Sequence, residues 1–61
     1  MNDISFYGEQ LLLDGFEMRY SGFTIKYNVK MKRYEAFKWF VLRYHNESFS
    51  DVKTWCARRG K

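Results

Sequence analysis

The sequence reads as a small α+β domain: an antiparallel meander of three or four strands with one C-terminal helix packed on one face. Three features carry that reading. From Phe23 to Lys32 apolar and polar residues alternate without a break, the period-two signature of a half-buried strand. Asp14-Gly15 and Ser21-Gly22 separate alternating segments, and two-residue glycine turns of this kind connect hairpins because their backbone needs positive φ. Near the C-terminus, serines precede an apolar stripe of Val52, Trp55 and Cys56 at spacings of three and four, which is a short amphipathic helix with its cap.

Taken in order, residues 1–9 show no clear periodicity, and Gly8 suggests a loose or bent lead-in. A first strand is expected over 10–13, Gln10-Leu11-Leu12-Leu13. Asp14-Gly15 turns the chain into a second strand over 16–20, and Ser21-Gly22 turns it into the third, over 23–31. In that third strand Phe23, Ile25, Tyr27, Val29 and Met31 form the apolar face, with Thr24, Lys26, Asn28, Lys30 and Lys32 opposite.

The segment 34–44 fits two templates. As a strand it puts Phe37, Trp39 and Val41 on one face and Tyr34, Ala36, Lys38, Phe40, Leu42 and Tyr44 on the other. As a helix it stacks Tyr34, Phe37, Val41 and Tyr44. Aromatic enrichment and the basic turn before it favour a fourth strand paired with 23–31, while the unbroken apolar run Trp39 to Leu42 leaves the helix open. After a polar break at 45–48, Ser48 or Ser50 caps a helix at about 50–59. Asp51 suits its positive end, Arg58, Arg59 and Lys61 suit its negative end, and Gly60 stops it. Phe49 stands where a hydrophobic staple would, and Trp55 should lie across the sheet.

A chain of 61 residues is a single domain near the lower limit for independent folding. With aromatics at 21% of residues, Tyr, Phe and Trp must supply most of its core. No apolar run approaches the roughly 20 residues of a membrane span, and the N-terminus lacks the pattern of a signal peptide. Cys56 is the lone cysteine, so no intrachain disulfide is expected and a reducing, cytoplasmic setting fits best. One thiol and one histidine cannot complete a four-ligand zinc site. Nor do His45 and Cys56 form a catalytic motif: His45 is read as a solvated loop residue, and Cys56 shares the apolar stripe as a small buried side chain. The four glycines are scattered over turns, not gathered into a phosphate-binding loop. The sequence predicts no enzyme, cofactor or metal.

In Gly22-Phe23-Thr24-Ile25, Tyr34-Glu35-Ala36 and Phe49-Ser50-Asp51-Val52-Lys53-Thr54-Trp55, the chain resembles small phage- and prophage-encoded accessory proteins in which a short meander ends in one helix. A similar plan occurs in the DNA-binding arm domains of phage integrases. The resemblance spans residues 22–59 as a pattern, and implies a phage or prophage origin with DNA binding or inhibition of a host protein.

Charge gives the functional expectation. The net +4 divides into −4 over residues 1–18 and +8 over residues 19–61. Two readings of that split stand side by side: a basic binding surface, or an acidic start that pairs with a basic sheet. The first makes nucleic acid, DNA or RNA, the expected partner. Lys26, Lys30, Lys32, Arg33 and Lys38 would contact phosphates, with Arg58 and Arg59 as a second cluster. Tyr34, Phe40 and Tyr44 would share the outer face with Lys38 and form an interface of stacking or docking aromatics. The alternative is a protein-interaction module, an inhibitor of a host protein or a homodimer, that uses those exposed aromatics.

Overall fold

The computed structural model describes the backbone of residues 4–60 and the side chains of residues 8–60. Its elements are α1 (Ile4–Leu13), β1 (Met18–Tyr20), β2 (Phe23–Asn28), β3 (Arg33–Lys38), β4 (Val41–Asn46) and α2 (Phe49–Arg59). The strands form one open antiparallel sheet in the order β1-β2-β3-β4. Both helices lie on the same side of it, and the core fills the space between. Leu12 comes from α1, Phe23, Ile25, Tyr34 and Ala36 from the sheet, and Phe49, Val52 and Cys56 from α2. Neither helix covers the other face of the sheet among the described residues.

The alternation that marks β2 does what it predicts at its start. Phe23 and Ile25 are buried, while Lys26 between Ile25 and Tyr27 is exposed. The strand ends at Asn28, three residues short of the expected end at 31. Asn28 Oδ1 accepts a hydrogen bond from the Met31 N–H at 3.0 Å, a side-chain turn that competes with strand pairing. Val29 and Met31 are therefore exposed in the loop, and Lys32 leaves it with φ of 56°.

At the N-terminus the expectation of a strand over 10–13 is corrected: these residues end α1, which also takes in 4–9 of the presumed lead-in. Residues 1–3 lie outside the described part. Asp14-Gly15 is not a hairpin turn but the helix C-cap. The Gly15 N–H donates to the Leu12 carbonyl at 3.1 Å and the Phe16 N–H to the Leu11 carbonyl at 3.0 Å, a Schellman motif with Gly15 at φ of 99°. A type I′ turn and a Schellman cap both ask for glycine at positive φ, so the dipeptide alone does not separate them. The Ser21-Gly22 hairpin stands, with φ of 54° and 87°.

The segment 34–44 is neither one strand nor a helix. It is divided between β3 and β4 by a two-residue turn at Trp39-Phe40, both at positive φ. Pairing is in register from Tyr34↔Asn46 to Ala36↔Tyr44 and then slips, so that Phe37 faces Leu42 and Arg43 is the extra residue of a bulge. His45, read as a loop residue, sits in β4 opposite Glu35.

The C-terminal helix is as expected, with Ser48 as the cap: its hydroxyl accepts from the Asp51 N–H at 3.3 Å. Phe49 is therefore the first helical residue and not a staple before the cap. It is buried with its ring 5.3 Å from that of Tyr34. Trp55 stacks on Tyr44 at 4.8 Å, nearly parallel, and meets Phe23 edge-on at 5.3 Å. Gly60 ends the helix by a different device from Gly15. Its φ is −80°, but a Cβ there would run into the Ser21 carbonyl, so only glycine lets the helix end meet the β1–β2 turn.

Candidate nucleic-acid interface

The pairing registers set which side chains share the uncovered face. Arg19, Thr24, Phe37 and Leu42 form one row across the sheet, and Lys26, Glu35 and His45 the next. Toward the end where β1 turns into β2 and β3 into β4, this face hollows into an open groove of about 430 Å³. Thr24 and Phe37 line it together with the cations Arg19 and Lys26, and Trp39 and Phe40 rise from the turn at its end.

The turn is the most unusual part of the molecule. Trp39 is 81% and Phe40 98% exposed, at φ of 55° and 65°. Positive φ is a conformation that asparagine and glycine adopt cheaply and bulky side chains do not. Two large rings thus occupy a strained turn and pack on almost nothing. Beside them, Lys26 Nζ stands 5.3 Å from the Phe37 ring centroid and 3.7 Å from Glu17 Oε1. Both members of that ion pair are more than half exposed, so water screens it and it holds Lys26 weakly.

The residues expected from the sequence to bind nucleic acid are not gathered in one place. Lys26 is on the open face, and Lys38 lines the rim of the groove with its ammonium 5.0 Å from the Phe23 ring centroid. Lys30 and Lys32 are exposed in the β2–β3 loop at the opposite end of the sheet. Arg33 beside them has its Nε 2.8 Å from Glu35 Oε2, to which the Asn28 side chain also donates at 3.0 Å; its charge is largely satisfied within the protein. Arg58 and Arg59 belong to the helical layer, where Arg58 lines the cleft between α1 and α2 and Arg59 lies 4.7 Å over Trp55. Lys61 lies outside the described residues.

Of the expected interface aromatics, Phe40 alone is free. The expectation for Tyr34 and Tyr44 is corrected, because the strand places both on the helix-covered face. Tyr34 is 4% exposed, between Tyr27 and Phe49, and its hydroxyl donates to Glu9 Oε2 at 2.8 Å. Burial, then the hydrogen bond to Glu9 and the charge of that carboxylate, push the Tyr34 phenol well above its ordinary value. Tyr44 is half-buried under Trp55. Cys56 is fully buried, which raises its thiol.

The groove also uses residues that the sequence reading passed over: Trp39, Phe37, Thr24 and Arg19. A usable signal was present. A strand over 34–44 would have eleven residues, about twice the usual length, and its two candidate faces were both apolar, which a change of direction near Trp39 resolves. Among the described residues no cluster of His, Cys, Asp and Glu could hold a metal ion, and no helix is long and apolar enough to cross a membrane. No protein family, curated protein or solved structure is matched by this chain.

Proposed function

We propose that the chain is a small non-enzymatic nucleic-acid-binding module, a cytoplasmic accessory protein of the phage or prophage type, and that it binds through the uncovered face of its sheet. One observation carries this: the exposed rings of Trp39 and Phe40 stand at the end of a groove, lined by Arg19 and Lys26, on the sheet face that neither helix covers. Arg19 and Lys26 supply phosphate contacts at the groove and Lys38 at its rim, and Lys30 and Lys32 extend the basic track at the far end of β2. Arg33, Arg58 and Arg59 take a smaller part, since each is engaged by the protein or turned to the helical side.

Fluorescence anisotropy of labelled DNA and RNA oligonucleotides, titrated at low and moderate salt, tests the reading. Saturable binding whose affinity falls with salt at a log–log slope of several units is expected. Absence of binding at about 50 mM salt, where phosphate contacts are strong, rejects it.

The run Trp39-Phe40-Val41-Leu42, exposed throughout, supports a second reading, in which that edge docks on a host protein or on another copy of the chain. Concentration-dependent sedimentation of the chain alone distinguishes the copy.

A further inference from the structure

We infer that the ligand of the groove is single-stranded nucleic acid, held by bases stacked on Trp39 and Phe40. This rests on the nucleic-acid reading above and makes it more specific. The two rings present their faces to solvent at 81% and 98% exposure. A base can lie on such a face only if it is unstacked from its neighbours, which single strands permit and duplexes do not. The strained backbone points the same way. Non-glycine residues held at positive φ cluster where a site needs them, and here the fold gains almost no packing from either ring. Charge complements the rings. Arg19 and Lys26 line the groove against the single carboxylate of Glu17, a net of +1, with the Lys38 ammonium on the far side of its rim over Phe23, so a phosphate backbone can run beside the stacked bases. Phe37 at the bottom of the groove, with Lys26 over it, offers one more apolar surface. Stacking tolerates every base, so the site reads strand form rather than sequence.

The double variant Trp39→Asn/Phe40→Gly is the instrument of the test, because Asn-Gly suits a two-residue hairpin turn and keeps the fold. Anisotropy is measured with an unlabelled protein on a fluorescent single strand of about ten nucleotides and on the duplex of the same sequence. The single strand should bind at least about tenfold more tightly, and the variant should lose ~10- to 100-fold for the single strand, the effect of one or two stacked bases. The salt slope should be unchanged, since no cation is removed. Equal affinity for the two forms, or a variant that binds the single strand as the parent does, overturns the stacking inference and leaves nucleic-acid binding standing. Binding of neither form removes both. Loss of a self-associated form in the variant, with no nucleic-acid binding by the parent, assigns the turn to a protein contact instead.

Discussion

The Tyr34 hydroxyl and the Glu9 carboxylate, 25 residues apart in sequence, are joined by a hydrogen bond of 2.8 Å that fixes α1 to the middle of the sheet. It is the phenol's proton that α1 holds, and the acceptor is charged. Hydrogen bonds to charged groups contribute about 1.5–3 kcal/mol, and Glu9 is only half-buried, so water replaces part of the loss. Tyr34→Phe should therefore cost about 1–2 kcal/mol, read as a lower urea midpoint at unchanged m. An unchanged midpoint would mean that the bond does not hold α1 in place.

The same pair sets the alkaline limit of stability. The phenol is raised above 10.0 in the fold by burial and by Glu9, whereas the unfolded chain titrates near 10. The contribution is thus complete below about pH 10 and is lost as pH rises toward the native value. Cys56 acts in the same sense from about pH 8.5, its unfolded value, because burial raises the thiol. Melting temperatures between neutral pH and strongly alkaline pH should fall in the parent and fall less in Tyr34→Phe above about pH 10. Parallel curves for the two proteins would remove Tyr34 as the cause.

The Trp39-Phe40 turn predicts an increase. Each ring sits at positive φ with almost no packing, a conformation that costs on the order of 1–3 kcal/mol per residue. Trp39→Asn/Phe40→Gly should raise stability by at least about 1 kcal/mol, or roughly 4–8 °C for a domain of this size. A lower melting temperature would mean that the rings pack in solution.

At the end of α1, Gly15 has open space around its absent Cβ, so its φ of 99° is the only obstacle to a larger residue. Gly15→Ala should cost about 1–2 kcal/mol, and Gly15→Asn less, measured by urea unfolding. Equal stability of all three would argue that the cap can re-form without positive φ.

The two ends of the open face should behave differently in binding. Arg19→Gln/Lys26→Gln removes charge beside the rings, and should lower affinity and reduce the salt slope by up to about two. Lys30→Gln/Lys32→Gln should act less, because that loop lies at the other end of the sheet. A larger effect from the loop would move the site there.

Much of the fold was legible because local and tertiary signals agree in it. Burial of Phe23 and Ile25 follows from alternation, and α2 from Ser48, Asp51 and the Val52/Cys56 stripe. Two places were opaque for physical reasons. The Asp14-Gly15 pair satisfies two motifs that share one dihedral requirement, and the choice between them lies in hydrogen bonds that no sequence displays. At Trp39-Phe40 the chain turns without glycine, asparagine or proline, so no turn residue betrays it. The candidate site inherits both halves: Lys26 was visible on the polar side of β2, while Trp39 was concealed with the turn. Tyr34 was misplaced because a continuous strand through 34–44 gave no reason to choose which apolar face the helices would cover.

Because both helices pack on one side, the molecule separates the residues that fold it from the residues that face outward. The strand registers point Arg19, Thr24, Lys26, Leu42 and His45 away from the helices, and exchanges at such positions usually alter stability by no more than about 0.5 kcal/mol. Among the described residues the Glu35 cluster with Arg33 and Asn28 ties the outer surface into the structure most firmly, and the exposed Lys26–Glu17 pair adds little. Five neighbouring positions could accordingly be randomised at once with the scaffold retained, which makes this sheet a surface on which new specificities can be selected.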